Sequence, residues 1–239
     1  MEPKILFEDN DMLAINKPAG LVVHSDGKTD EKNLVDWLLE KYPSIKNVGE
    51  PWVKESGEEI LRSGIVHRLD RETSGVMLVA KTQEGFECLK KQFQNHEVEK
   101  IYHALVNGEM KNDSGIIDRP IGRSSKDFRM WSAQRGARGQ MREAVTEYKV
   151  LSRHGGFSLV EVYPKTGRTH QIRVHFKAIS YPLVSDSLYA PNHKKALGLE
   201  RLGLHSYKAV FSDLNGNRHE ILADYPEDFK NAVSLLQSL

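Results

Sequence analysis

Asp70 stands in the stretch GIVHRLDRETSGVMLVAKT, residues 64–82, with Arg68 two positions before it, Arg71 directly after it and a short apolar run on either side. An acid placed there is either a turn residue held by its neighbours or a reactive carboxylate whose charge the cations hold in place. A second group of chemically capable side chains lies in YPKTGRTHQIRVHFKAISYP, residues 163–182. Ile172, Phe176 and Ile179 recur at helical spacing, Thr169 is placed to cap the start, and the run ends before Pro182. His170, Arg173 and Lys177 then share the face away from the apolar stripe. Arg173 becomes a cation near a helix N-terminus, which the macrodipole disfavours by about 0.3–1 kcal/mol. Such a residue either lies in solvent or has a partner.

A third feature is electrostatic. Net charge is only +1, so no field of the whole molecule announces a polyanion, yet residues 119–142 read RPIGRSSKDFRMWSAQRGARGQMR. Arg119, Arg123, Lys126, Arg129, Arg135, Arg138 and Arg142 face the single acid Asp127 there, with Phe128 and Trp131 among them. Flat side chains between cations can stack on unpaired bases while the cations meet phosphates. A solvated, mobile surface loop is the alternative, and Gly136 and Gly139 suit it equally well.

Other chemistries find no support. The chain has no GxxxxGK[ST] and no GxGxxG, so neither a P-loop nor a dinucleotide fold is indicated. HRLD has the wrong order for a kinase catalytic loop, and no DFG accompanies it. Neither HExxH nor GxSxG occurs, and Cys88 is the sole cysteine, which excludes an intramolecular disulfide and a Cys-rich zinc site. No cofactor and no metal are expected. With 239 residues, 39% hydrophobic and 28% charged, the chain has an ordinary globular composition, and no apolar run approaches the roughly 18 residues of a membrane span. The N-terminus resembles neither a secretory signal nor a transit peptide. A reducing, cytoplasmic setting is expected, with no membrane partner.

The elements that must position these residues are legible in outline. KILFEDNDMLAINKP reads as a hairpin stopped at Pro18, and TDEKNLVDWLLEKYP as an amphipathic helix ending before Pro43. Residues 44–63 show no periodicity and read as a linking loop. VMLVAKT is a buried strand, and EGFECLKKQFQNH is a helix with Phe86, Leu89 and Phe93 on one face. IYHALVNGEM and AVTEYKVLSRHGGFSLVEVYP are strand-like, the latter a pair meeting at RHGG. YKAVFSDLNGNRHEILA carries an Asn215-Gly216 hairpin signal, and YPEDFKNAVSLLQSL closes the chain as a helix. The hairpins predict an α+β fold with a largely antiparallel mixed central sheet and flanking helices and loops.

GIVHRLDRETSGVMLVAKT resembles, almost residue for residue, the signature of the RluA-type pseudouridine synthases, in which the Asp of HRLDxxTSG is catalytic. The resemblance continues in family order through NKPAGLVVHSD (16–26), KIYHALVNG (100–108), AVTEYKVL (144–151), TGRTHQIRVH (166–175) and LHSYKAVF (204–211). It implies the pseudouridine synthase fold and an isomerisation in which a uridine of ribosomal or transfer RNA exchanges its N1–C1′ bond for a C5–C1′ bond. Asp70 is then the catalytic carboxylate, by attack on the sugar, by attack on the base, or by deprotonation of the sugar. Such a carboxylate must be ionised, and a close cation favours that form. The resemblance places Arg173 in that role. Tyr102 matches the KxY tyrosine, which stacks on the target base and can assist proton transfer. Arg68 matches the arginine that fills the gap left when the uridine leaves its stack, a step costing a few kcal/mol. Arg71 and His67 are read as phosphate and structural contacts beside the substrate, Arg168 and His170 as further substrate contacts, and Thr73, Ser74 and Gly75 as shapers of the Asp70 turn; Arg123, Arg129 and Arg135 of the basic stretch 119–142 are the leading candidates for selecting the RNA.

This chain departs from the family at SDSLYA, residues 185–190, where relatives commonly carry Gly before the Asp and after the Tyr. Many relatives also carry a small RNA-binding domain ahead of the catalytic one, whereas here the family pattern begins within the first ten residues, so one catalytic domain over 1–239 with no separate N-terminal RNA-binding domain is expected, and the family leads to the expectation of a monomer. Two other classes are open: a catalytically silent RNA-binding or ribosome-assembly factor on the same fold, and a hydrolase pairing Asp70 with a histidine. The intact Asp70, Tyr102 and Arg173 argue against the first, and the lack of a second acid at catalytic spacing argues against the second.

Overall fold

A computed structural model describes residues 2–24, 31–53, 57, 59–60, 62–134 and 137–238. The chain runs through β1 (Lys4–Glu8), β2 (Met12–Lys17), α1 (Leu34–Lys41), a 3-10 turn (Pro43–Asn47), β3 (Trp52–Val53), β4 (Glu59–Ile60), β5 (Ser74–Ala80) and α2 (Gln83–Gln94). There follow β6 (Glu99–Asn107), β7 (Ser114–Asp118), β8 (Ile121–Arg123), β9 (Trp131–Ser132), β10 (Arg138–Arg142), β11 (Val145–His154), β12 (Phe157–Pro164) and α3 (Gln171–Ala178). β13 (Leu204–Ser212), β14 (Arg218–Leu222) and α4 (Glu227–Ser238) complete it. These elements gather into two compact units, Met1–Glu99 with Ser206–Asp224, and Lys100–His205 with Tyr225–Leu239. Among the described residues no helix is long and apolar enough to cross a membrane.

In the first unit the sheet runs β1-β2-β5-β13, with β14 paired to β13. β1 with β2, β2 with β5, and β13 with β14 are antiparallel. The polar turn at Asp9 joins β1 to β2: its carboxylate accepts the Asp11 and Met12 N–H groups at 2.7 and 2.6 Å. β5 is buried on both faces along its whole length, which explains its continuous apolar sequence. On one face Val76, Leu78 and Ala80 join Phe86 and Leu89 of α2 in a single core. α2 starts at Thr82, whose hydroxyl accepts the Gly85 N–H at 3.1 Å. α1 carries a capping box in which Asn33 and Asp36 serve each other's backbone. Residues 44–63, expected as a plain loop, hold most of the 3-10 turn and the short antiparallel pair β3–β4. Two-residue strands leave no period to read.

In the second unit the sheet runs β6-β12-β11-β7, antiparallel at each pairing. Alternation along the strands sends Ala104, Val106, Val160 and Val162 to one face, where Ile172 and Phe176 of α3 cover them. Leu105 and Leu159 point the other way, to Phe229, Ala232, Val233 and Leu236 of α4. The basic stretch is not an unstructured loop: β10, β8 and β9 form a small sheet of their own. Ile121 of that sheet packs with Val174 of α3, Ala144 and Tyr189. α3 is therefore buried on two sides, and residues 171–176 are all buried.

Candidate active site

Asp70 lies half-buried in a backbone that is pinned on every side within its own unit. The segment starts at Gly64 and ends at Gly75, and both positions require glycine. Gly64 has φ +78 and a Cβ there would lie 2.1 Å from the Ala80 carbonyl oxygen; Gly75 has φ +113 and a Cβ would lie 2.1 Å from that of Ser206. Between them Ile65 bridges to Val79, and His67 Nε2 accepts the Leu78 N–H at 2.9 Å. This bond fixes His67 as the neutral Nδ1–H tautomer, with its ring against Phe93. Leu69 is buried, and the Thr73 N–H closes the turn on the Asp70 carbonyl at 3.1 Å.

The carbonyl of Arg71, the residue after Asp70, is held by a buried lysine. Lys17 is fully buried, and its Nζ donates to the carbonyls of Pro18, Leu21 and Arg71 at 2.8, 2.9 and 3.2 Å. The Gly20 N–H reaches the same Arg71 oxygen at 2.8 Å. An ammonium taken out of water is stable only with such a full set of acceptors. The NKPAGL segment is thus tied to the RLDR turn. Arg68 and Arg71 are exposed, Arg71 pairing with Glu31. Burial, with the Arg68 charge beside it, pushes the Arg62 guanidinium down from its ordinary pKa.

In the second unit Arg173 is 7% exposed, so it is not a solvent residue. Its Nε and Nη2 donate to Asp186 Oδ2 and Oδ1 at 2.8 and 2.7 Å, a bidentate fork whose carboxylate has no solvent exposure. Asp186 Oδ1 also accepts the N–H groups of Leu188 and Tyr189 at 3.1 and 2.9 Å. The Arg173 guanidinium lies 4.9 Å from the Tyr189 ring centre. The Tyr189 hydroxyl accepts the Trp131 N–H and bonds His170 Nδ1, both at 2.9 Å. Of the two alternatives the dipole argument left open for Arg173, solvent or a partner, the structure shows a partner, and within this unit it is Asp186. Ser185, the first residue of the SDSLYA departure, sits at φ +56, and its buried Oγ donates to the Leu199 carbonyl at 2.7 Å. That bond offsets backbone strain a glycine would not have.

The start of α3 differs from expectation. Its N-cap is His170 in a left-handed conformation (φ +56) with no side-chain cap, and Thr169 does not cap it. Gln171 anchors the loop instead: its Oε1 accepts from Thr166 Oγ1 and the Arg168 N–H, and its Nε2 donates to the Val145 carbonyl and Thr146 Oγ1. Arg168 Nε donates to the Glu143 carbonyl. His175 is fully buried; Nε2 donates to the Arg119 carbonyl and Nδ1 accepts from Thr146 Oγ1, each at 2.9 Å. Burial pushes its pKa down, against the Arg119 carbonyl bond, which raises it.

Tyr102 is half-buried on β6, paired with Val162 and packed against the core under α3. Lys100, two residues earlier, has its pKa pushed down by burial. In the basic stretch Arg123 stacks on Trp131 at 4.3 Å, and Arg129 chelates Asp127, with Nη2 to Oδ2 at 2.7 Å. Arg129 holds the Asp127 carboxyl below its ordinary pKa. Phe128 is 84% exposed. Arg135 lies outside the described residues. Sequence reasoning missed Lys17, Gln171, Asp186 and Tyr189. Only the last two had a signal: SDSLYA already marked a place where backbone shape matters, whereas NKPAGL is silent about burial.

The sequence model of the RNA pseudouridylate synthase family matches residues 11–178. An uncharacterized RNA pseudouridine synthase of Aquifex aeolicus is 43% identical over 243 aligned positions, covering 98% of this chain and 72% of that protein. The ribosomal large subunit pseudouridine synthase D of Zymomonas mobilis is 33% identical, covering 98% of this chain and 72% of its own. A solved structure, human RNA pseudouridylate synthase domain containing 4, superposes with a TM-score of 0.75 at 26% identity, covering 98% of this chain and 93% of that one.

Proposed function

Since the chain belongs to the RNA pseudouridylate synthase family and is an RNA pseudouridine synthase, we propose that Asp70 is the carboxylate that carries its chemistry. The reaction breaks the N1–C1′ bond of a uridine and joins C5 to C1′, moving a proton from C5 to the base nitrogen. One observation carries the assignment: within GIVHRLDRETSG, a half-buried acid is presented by a turn fixed through Gly64, Gly75, His67 and Lys17. A pinned backbone is what a reactive group needs to stay in register with a flipped-out nucleoside.

Tyr102 is read as the ring that stacks on the base and assists proton transfer, and Arg173 as the cation that keeps the reactive carboxylate ionised. Two of the five guanidinium donors serve Asp186, which makes Asp186 a positioning residue for Arg173. Arg68 fills the place of the extruded uridine. Arg71, Arg168, His170, Arg123, Arg129, Arg135 and His67 are read as the surrounding RNA contacts. The bonds of His67 to Leu78 and of Arg129 to Asp127 favour a supporting part for those two. The span 1–239 is read as one catalytic domain acting as a monomer in a reducing, cytoplasmic setting.

The name of the Zymomonas relative makes large-subunit ribosomal RNA the proposed substrate, with transfer RNA as the other outcome of the test. Pseudouridines are mapped across total RNA from cells with and without this protein. Loss of one or more sites in large-subunit ribosomal RNA is expected. Identical maps in all ribosomal and transfer RNA would overturn the proposal.

A further inference from the structure

A cleft of about 220 Å³ opens in the second unit between residues 124–134 of the basic stretch and α3. Val174, Met130 and Ala178 give it an apolar floor, Trp131 a flat indole, and Lys126 and Lys177 its two cations. Its lining contains no carboxylate. The one acid of the basic stretch, Asp127, is taken up by the Arg129 fork, so the field at the cleft is positive. Ser124 and Ser132 accept backbone N–H groups from Lys126 and Gln134 and keep their own O–H to donate. Trp131 carries the Arg123 guanidinium over its ring at 4.3 Å.

We propose that this cleft binds one unpaired nucleotide of the substrate RNA, a nucleotide other than the uridine being modified. The proposal rests on the reading of the chain as an RNA-modifying enzyme and adds a holding site to it. The volume is below the roughly 300–1,000 Å³ of drug-sized pockets, which suits a single base and excludes a longer segment. An apolar floor beside an indole accepts any base face, and two flanking lysines accept the phosphates on either side of it. With no acid in its wall, the cleft has no group that could attack a nucleoside, so what it holds is not the reacting uridine. Its contribution is grip on the strand.

The test uses the full chain with Trp37→Phe and Trp52→Phe, which leaves Trp131 as the sole tryptophan. Octauridylate is titrated against Trp131 emission at several salt concentrations. Quenching is expected, and Lys126→Gln with Lys177→Gln weakens binding at least tenfold. At about 0.7 in log–log slope per phosphate contact on single strands, the double variant lowers the salt slope by about 1.4. Lys126→Glu alone, at an exposed position that cannot disturb the core, weakens binding severalfold. Octamer binding that leaves Trp131 emission unchanged, or variants with unaltered affinity and slope, would overturn the proposal. Uridine 5′-monophosphate binding as tightly as the octamer would overturn it too, in favour of a free-nucleotide site. The assay reads binding alone, so a chain that forms no pseudouridine in any RNA sinks the assigned activity and leaves this result to be judged separately.

Discussion

Asp186→Asn tests whether the Arg173 fork is structural and functional at once. The substitution keeps Oδ1, which accepts from Arg173 Nη2, Leu188 and Tyr189, and replaces Oδ2, which accepts from Arg173 Nε. An amide NH₂ set against an N–H donor leaves a guanidinium that is 7% exposed facing a neutral, mismatched partner. Removing one member of a buried ion pair costs about 3–5 kcal/mol. In a chain of 239 residues, about 2–4 °C of Tm is lost per kcal/mol, so a fall of roughly 6–20 °C is expected. The double change Arg173→Met with Asp186→Asn removes both charges while Oδ1 still accepts the Leu188 and Tyr189 N–H groups, so it regains part of that stability. Its pseudouridine formation stays lost, since the cation is gone. Thermal unfolding followed by circular dichroism, with pseudouridine assays on the same preparations, measures both effects. A Tm fall of under about 2 °C for Asp186→Asn, less than 1 kcal/mol on the same scale, would refute the buried-pair reasoning; an active double variant would refute the catalytic reading of Arg173.

Lys17→Met strips an ammonium from three carbonyls, each costing about 1–3 kcal/mol if left unsatisfied; kcat is expected to fall more than RNA affinity, measured by single-turnover kinetics and filter binding. His175 is held neutral by burial, with its pKa below the ordinary value of 6.5. As pH drops below about 6.5 the unfolded chain takes up a proton that the folded one refuses, so stability declines with falling pH. Buried His103 shifts in the same direction. Melts at pH 7.5 and 5.5 are expected to show a smaller pH-dependent loss for His175→Gln than for the parent, and parallel losses would contradict the assignment. Arg68→Ala is expected to slow turnover more than it weakens binding, whereas a pure affinity loss would make Arg68 a phosphate contact.

Elements set by local pattern were legible. The β1–β2 and β13–β14 hairpins, α1, α2 and α4 follow from turn residues and apolar spacing within a dozen positions. Residues whose environment comes from elsewhere in the chain were not. Arg173 has a charged residue's pattern on a helix face, yet α3 is covered by the main sheet on one side and by the β8–β10 sheet on the other. Its partner Asp186 arrives from a turn 13 positions away. Lys17 reads as a surface lysine, and only the curl of the chain around its ammonium buries it. The strands of the basic stretch escaped notice because β10 is exposed at all five positions, leaving no apolar alternation to see. Thr169 has the chemistry of a cap, but the left-handed His170 shifts the helix start past it. For the candidate site the HRLD motif pointed to the acid proposed as catalytic, while the devices that fix its backbone came from the three-dimensional arrangement.

The most direct measurement compares the parent chain with Asp70→Asn, scoring pseudouridine in large-subunit ribosomal RNA and RNA affinity on the same samples. The exchange removes one negative charge and almost no volume at a half-buried turn, so folding and RNA affinity should be retained while pseudouridine disappears. Pseudouridine formed by the Asn variant at a rate near that of the parent would contradict the assignment of the chemistry to this carboxylate.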